Sequence, residues 1–247
     1  MWFWIGAGAV FVLFLTGAIY LVLNLAWLRV AEFTVEGNAE VSHDAVISEV
    51  TREMLTDTWR GWVGPGNILF WMFGNTPTVL QRFPEVKDVK VTSNFFARSV
   101  GISAEERAPF AILCESSSTQ CFVMDDEGIL FAPAPHTEGT LILKINDATD
   151  RPLLLGMPFL PDVAWVQNMF SVLTALKRND FVPLDITIDN LSLRTWSVKV
   201  IQGPTFVFSL NFAPDNFDSI LSNLSEKLDF SKVTTVNFEV PNRIYYQ

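Results

Sequence analysis

The chain has 247 residues, of which 49% are apolar and 18% are charged, and its formal net charge at pH 7 is -10. An acidic surface argues against nucleic acid as a partner and against electrostatic docking on anionic lipid, because both need clustered Lys and Arg. The chain contains no zinc-type Cys/His spacing and no common motif of nucleotide, serine or zinc hydrolases, so we expect no catalytic residue, cofactor or metal ligand.

The first 28 residues carry no charged side chain. About 20 apolar residues are enough to span the hydrocarbon core of a bilayer, so residues 1–28 predict a transmembrane helix in contact with membrane lipid. Trp2, Trp4 and Trp27 lie near its two ends, where indole rings favour the headgroup layer. A cleaved signal peptide is the alternative, but its apolar region is about 7 to 15 residues, whereas this run continues to Leu28.

The sequence contains no second apolar run of comparable length, and long acidic domains translocate with little regard to their charge. We therefore expect a single-pass type II protein of the cell (plasma or inner) membrane, with an extracytoplasmic C-terminal part. About 219 residues remain after the anchor, which is enough for two small domains. We place these domains at residues 29–107 and 108–247.

Residues 29–107 predict a small domain with the order strand, helix, helix, strand, strand. Phe33 and Val35 share one face of the first strand, and Ser42 can cap a helix in which Val46 and Val50 recur at helical spacing. A Gly-containing loop is expected at residues 61–66. The remaining elements are one or two short helices within 67–73 and 78–83, followed by strands at 86–92 and 99–105.

Residues 108–247 predict a β-rich domain with two packed helices, so the fold class is α+β. The helices are expected at 161–177 and 215–228, where apolar residues recur on one face. Strands are expected at 111–113, 120–124, 130–132, 141–145, 185–188, 195–201, 205–210 and 233–240. The last of these strands is expected to lie at a sheet edge, where backbone groups can template another chain's strand.

The two cysteines, Cys114 and Cys121, bracket a polar run that could turn a hairpin. A disulfide between them would need an oxidising compartment. Two free thiols on adjacent strands are the alternative, because sequence spacing does not establish the geometry of the Cβ atoms.

Several short motifs follow one another in a characteristic order. They are Phe33-x-Val35-x-Gly37-Asn38, Val41-Ser42, Phe83-Pro84-Glu85-Val86, Glu106-Arg107-x-Pro109-x-Ala111, Asp126-x-Gly128-x-x-Phe131 and Val236-Asn237-Phe238-x-x-Pro241-Asn242-Arg243-Ile244-Tyr245-Tyr246. Together they resemble the FtsQ/DivIB cell-division family, in which a POTRA domain (β-α-α-β-β) precedes a β domain. The sequence departs from that family in lacking a basic tail before the apolar run and in having Asn237 where an acidic residue is common.

The resemblance implies a non-enzymatic scaffold at the division septum. Such a scaffold binds FtsB- and FtsL-like single-pass division proteins and other divisome components, and links early division proteins to septal peptidoglycan synthesis. We expect an FtsB-like segment to add a strand beside residues 233–240. The residues expected to contact it are Val236, Phe238, Val240, Arg243, Tyr245 and Tyr246, although Val236, Phe238 and Val240 could instead face the core.

Two other functions stay open at this point. One is a POTRA-containing membrane assembly or secretion component, and the other is a membrane-anchored cell-wall enzyme. A group of aromatic residues including Trp59, Trp62 and Trp71 could contact the bilayer or a partner helix, or be buried between the helices of the first domain.

Overall fold

The computed structural model describes residues 11, 13–18, 20, 25–37, 41–73, 75–116, 120–135, 142–149, 151–201, 203–230 and 232–247. The chain divides into two compact units, Met1–Glu106 and Arg107–Gln247. The sequence placed this division one residue later, between 107 and 108. Each unit is described by itself.

The predicted transmembrane helix is not found. No helix in the described part of the chain, which leaves out residues 1–10, 12, 19 and 21–24, is both long and apolar enough to cross a membrane. The described helical positions in this region are 11, 13–18 and 20, and Ala26–Leu28 forms a 3-10 turn in which Leu28 is buried in the core of the first unit. The predicted anchor over 1–28, and the single-pass type II placement that rested on it, are therefore corrected.

From residue 32 onward, the described part of the first unit contains a three-stranded sheet and three helices. Its elements are β1 (Glu32–Glu36), α1 (His43–Met54), α2 (Thr58–Val63), α3 (Ile68–Met72), β2 (Val86–Asn94) and β3 (Ser99–Glu106). The strand order is β1-β3-β2, with β1 parallel and β2 antiparallel to β3. The hydroxyl of Ser42 accepts a hydrogen bond from the Ala45 N–H, which confirms the predicted helix cap. Val46 and Val50 of α1 are fully buried, as their spacing predicted.

Two local predictions in this unit hold only in part: the loop expected over 61–66 begins after residue 63, and of the one or two short helices expected within 67–73 and 78–83 only α3 forms. Residues 58–63 form helix α2 where part of a loop was expected, because Arg60 is buried and its guanidinium donates hydrogen bonds to the carbonyls of Phe73 and Asn75. These long-range hydrogen bonds cannot be predicted from the local sequence pattern. Residues 78–83 form bends and a turn and no helix. The Thr78 carbonyl accepts a hydrogen bond from the Val89 N–H of β2 instead of one within a helix, and Pro84 disfavours helical backbone at the residue before it.

The described part of the second unit forms one nine-stranded sheet. Its elements are β4 (Ala111–Glu115), β5 (Cys121–Met124), β6 (Leu130–Ala134), β7 (Leu143–Asp147), α4 (Val163–Arg178), β8 (Pro183–Asn190), β9 (Thr195–Val200), β10 (Thr205–Ser209), α5 (Phe217–Lys227), β11 (Thr235–Phe238) and β12 (Tyr245–Tyr246). The strand order is β12-β11-β10-β9-β8-β7-β4-β5-β6.

The two long helices supply the crossover connections of this sheet. Helix α4 joins β7 to its parallel neighbour β8, and α5 joins β10 to its parallel neighbour β11. A parallel pair needs such a crossover, whereas the antiparallel pairs are joined by shorter turns. The helices contact each other, so both lie on the same face of the sheet. The carboxylate of Asp162 caps α4 by accepting a hydrogen bond from the Ala164 N–H.

The two faces of the sheet differ in chemistry. Partner residues across the strands share a face, and one row of partners on the helix-covered face is completely buried: Val236, Phe206, Val198, Ile186, Ile145 and Leu113. The adjacent row on the opposite face is Asn237, Val207, Ser197, Thr187, Asn146 and Cys114, which is mostly polar and half-buried. This division is typical of a sheet with one face on the core and one in water.

The cysteines lie in the sheet as direct cross-strand partners on β4 and β5. Cys114 and Cys121 are joined in a disulfide, with a Cα–Cα distance of 4.1 Å, and both are buried. The disulfide across the β4–β5 hairpin is therefore formed, and the alternative of two free thiols is wrong. Disulfides persist in oxidising compartments.

Candidate functional site

The candidate site is the end of the second unit's sheet formed by β11 and β12. The sequence predicted that residues 233–240 would be the edge strand. Instead, β11 lies between β10 and β12, with Val236 opposite Tyr246 and Asn237 opposite Tyr245. The edge is the two-residue strand β12, which has no periodicity that a sequence pattern could show. The prediction of β11 as the edge strand is therefore wrong.

Two of the six predicted contact residues belong to the core. Val236 is fully buried and Phe238 is 3% exposed. The ring of Phe238 stacks on Phe208 with centroids 5.3 Å apart and meets Phe217 of α5 edge-on at the same distance. Both side chains point to the helix-covered face, because residues two apart on a strand share a face. They hold β11 in place and are not accessible to a partner.

The other four predicted residues are exposed. Val240 is 42%, Tyr245 is 51% and Tyr246 is 59% exposed, and Arg243 is exposed as well. Tyr246 shares the helix-covered face with Val236, whereas Tyr245 lies on the open face. The sheet end therefore presents a tyrosine on each face. Tyr is well suited to a contact surface because its ring is apolar and its hydroxyl stays hydrated.

A tight turn connects β11 to β12. The Arg243 N–H donates a hydrogen bond to the Val240 carbonyl, and Asn242 has a φ of 60°. Pro241 before Asn242 fits a type II turn, which favours Pro at its second position and a residue with positive φ at its third. Pro241 and Asn242, which belong to the last of the motifs that resemble FtsQ/DivIB, therefore reverse the chain between β11 and β12.

A groove of about 460 Å³ lies beside this turn. One wall is the segment before α5 together with Ile220 of that helix, and the other wall is the β11–β12 connection. Val240 and Ile244 contribute apolar surface, while Asp215 and Arg243 contribute opposite charges. The groove can accept an apolar side chain, and sequence reasoning missed it because its walls are about twenty residues apart in the chain.

The open face carries Glu239 just after β11, and Asp185 and Asp189 on β8, where Asp185 is the cross-strand partner of Lys199 on β9. The Asn237 side chain accepts a hydrogen bond from the Glu239 N–H and donates one to the Glu239 carboxylate, so an acidic group lies two residues after the position where the family often has one. Partial desolvation raises the pKa of Asp189, a hydrogen bond from Ser197 opposes this, and the charges of Asp185 and Glu239 raise it further. A carboxyl whose pKa is raised by neighbouring carboxylates lies in a negative field, which favours a basic partner.

The acidic run at residues 125–127 does not form a metal site. Asp125 is 1% exposed, forms an ion pair with Arg107, and accepts hydrogen bonds from the N–H groups of Glu127 and Ile129. Within the described residues, no group of three or more Cys, His, Asp or Glu side chains is placed to hold a metal ion. The run shapes the β5–β6 hairpin.

The predicted aromatic group of the first unit is split by the structure. Trp71 is buried, and its indole N–H donates a hydrogen bond to the Pro65 carbonyl. Trp59 is 40% and Trp62 is 85% exposed. Trp62 in particular is a surface residue of the first unit, which makes it a useful control for aromatic contacts elsewhere.

Comparison with known proteins identifies no relative: neither a family model nor a curated protein matches this chain. The resemblance to FtsQ/DivIB therefore rests on the motifs given above, and the division function stays a prediction.

Proposed function

We propose that this chain is a non-enzymatic scaffold of the bacterial division machinery, and that its second unit binds an extended segment of an FtsB-like partner at the β11–β12 end of the sheet. The partner's strand continues the sheet through backbone hydrogen bonds, and its side chains contact the exposed residues there. An FtsL-like protein and other divisome components join through that partner.

One observation carries the proposal. The nine-stranded sheet ends in a strand of only two residues, with half-exposed Tyr245 and Tyr246 on its two faces and an apolar groove beside it. Natural edge strands are blunted by short length, charge, proline or a covering element. The strand β12 is short, but its two residues carry neither charge nor proline, so it protects this end of the sheet only weakly. The order of the family-like motifs, which ends in this same segment, supplies the identity of the partner.

The first experiment is time-lapse imaging of an amino-terminal fluorescent fusion in dividing cells. The proposal predicts a band at mid-cell that appears before constriction. A signal that shows no mid-cell enrichment through constriction would contradict it and would favour the secretion-component or cell-wall-enzyme interpretations.

The second experiment is co-purification with the FtsB-like and FtsL-like proteins of the same cell, using Tyr245→Ala with Tyr246→Ala. Truncation of interface aromatics commonly costs about 2 kcal/mol or more, so a partner that adds beside β12 should bind the double variant roughly 30-fold more weakly. The matched control is Trp62→Ala, which removes an exposed aromatic ring from the other unit. Equal binding by the double variant and the control would contradict the proposed site.

A further inference from the structure

The backbone groups of β12 face in two directions. The Gln247 N–H donates to the Thr235 carbonyl at 3.1 Å, and the Thr235 N–H donates to the Gln247 carbonyl at 3.2 Å, so these two residues face each other. Because the direction alternates along a strand, Tyr245 also faces β11, while the N–H and carbonyl of Tyr246 point away from it. A strand that adds outside β12 meets the outward groups of one strand residue.

The edge of β11 that β12 covers offers more backbone groups for pairing than the outer edge of β12 does. Thr235 and Asn237 both direct their backbone groups toward β12, and the side chain of any residue opposite Val236 lies on the helix-covered face. That position is now held by Tyr246, which leaves more than half of its own surface exposed. A longer segment with an apolar residue at this point would pair with both Thr235 and Asn237 and bury more apolar surface.

We infer that β12 together with Gln247, here called the strap, is a displaceable cover, and that the partner's strand replaces it on β11 instead of adding outside it. This inference rests on the proposed function for the partner's place at this end of the sheet. It reverses one expectation there: a strand that replaces the strap loses no contact with Tyr245 or Tyr246, so Tyr245→Ala with Tyr246→Ala should strengthen binding, whereas addition beside β12 should make the same variant bind more weakly. The occupant is an extended segment with apolar residues on the face shared with Val236 and a basic residue on the other face, opposite Asn237 and beside the Glu239 carboxylate that Asn237 holds.

The strap and the two residues before it follow a similar pattern. Ile244 and Tyr246 alternate with Arg243, Tyr245 and Gln247, so the first set is apolar or aromatic and the second set contains the only cation. The strap is anchored at its end, where the Gln247 carbonyl accepts hydrogen bonds from the N–H groups of Thr234 and Thr235 and from the Thr234 hydroxyl. Its two strand residues are half-exposed, so little apolar surface holds them on β11. The partner can bind only while the strap is open. Its apparent affinity is therefore the intrinsic affinity multiplied by the fraction of time for which the strap is open.

Hydrogen exchange tests whether the strap opens. The amides of Thr235 and Asn237 are covered by the strap, whereas those of Val236 and Phe238 face β10 in the same strand. Local opening of the strap should make the first pair exchange at least about 100-fold faster than the second pair. Equal protection of all four amides would show that β11 and β12 open only together, and would overturn the inference.

Peptide binding tests whether the strap can be replaced. The probe is a fluorescein-labelled peptide that copies residues 240–247 of this chain. Gln247→Pro removes the N–H that donates to Thr235, and should strengthen peptide binding by about tenfold or more. Tyr246→Pro is the matched control, because it removes an N–H that points away from β11. Weaker binding to Tyr246→Pro than to Tyr246→Ala, with no gain in Gln247→Pro, would indicate addition outside β12.

A cross-strand disulfide supplies the opposite perturbation. Val236 and Tyr246 are direct partners, as Cys114 and Cys121 are in the natural disulfide. Val236→Cys with Tyr246→Cys should abolish peptide binding when oxidised and restore it when reduced, with the unaltered chain carried through the same reduction. Undiminished binding to the oxidised variant would overturn the inference. The peptide assays do not depend on the division function, so failure of mid-cell localisation alone would leave the strap in place and reject only the proposed function.

Discussion

Replacing Phe238 with alanine should destabilise the second unit by about 4 kcal/mol. Burying a Phe side chain contributes roughly 2 to 3 kcal/mol, and each favourable ring pair adds about 0.5 to 1.5 kcal/mol. Phe238 is 3% exposed and makes two ring contacts at 5.3 Å, with Phe208 and Phe217. The sum agrees with the usual cost of about 3 to 5 kcal/mol for Phe→Ala in a core.

Urea unfolding followed by circular dichroism measures this loss. With an m-value of about 2 kcal/mol/M, the midpoint should fall by roughly 2 M. Tyr245→Ala, on the adjacent strand but 51% exposed, should change stability by less than about 0.5 kcal/mol. If Phe238→Ala shifted the midpoint no more than Tyr245→Ala, the assignment of Phe238 to the core would be refuted. If Phe238 is a core residue, loss of partner binding in Phe238 variants reports lost folding and not a lost contact.

Three further predictions concern other parts of the chain. Cys114→Ala opens an eight-residue disulfide loop and should cost about 2.5 kcal/mol, measured by thermal unfolding against the oxidised chain. Gly37→Ala should destabilise the first unit by more than about 2 kcal/mol in urea, because Gly37 has a φ of 85° and an added Cβ would lie 2.4 Å from the Ala104 carbonyl oxygen. A hydrogen bond from Arg52 lowers the pKa of Glu49, although burial opposes it. This pair therefore stabilises the fold at pH values above the unfolded-state pKa of Glu49, and the stabilisation is lost as pH falls. Glu49→Gln should make the free energy of unfolding depend less on pH in the acid range.

Local pattern was sufficient for most of the elements that surround the candidate site. The apolar spacing within 161–177 and 215–228 predicted helices α4 and α5, which the structure has at Val163–Arg178 and Phe217–Lys227. The side chain of Ser42 caps its helix as expected. These features depend on residues within one or two turns of each other, so the sequence contains the information directly.

The length of an apolar run was not sufficient to predict a transmembrane helix. Residues 1–28 have the composition of a bilayer span, yet the described residues contain no helix long enough for one, and Leu28 packs into the core of the first unit. Similarly, helix α2 depends on a buried arginine whose hydrogen-bond acceptors lie 13 and 15 residues away.

The sequence by itself determined which segments of the second unit are strands and helices and which side chains alternate between its faces. Only the tertiary structure decided that β11 lies inside the sheet, that Val236 and Phe238 belong to the core, and that Tyr245 and Tyr246 form the edge. The physical reason is that periodicity records the environment of a strand's two faces, whereas its neighbours are selected by backbone hydrogen bonds that every residue type except proline can make. A two-residue strand has no periodicity, so its partner and its position at the edge become visible only when the chain is folded.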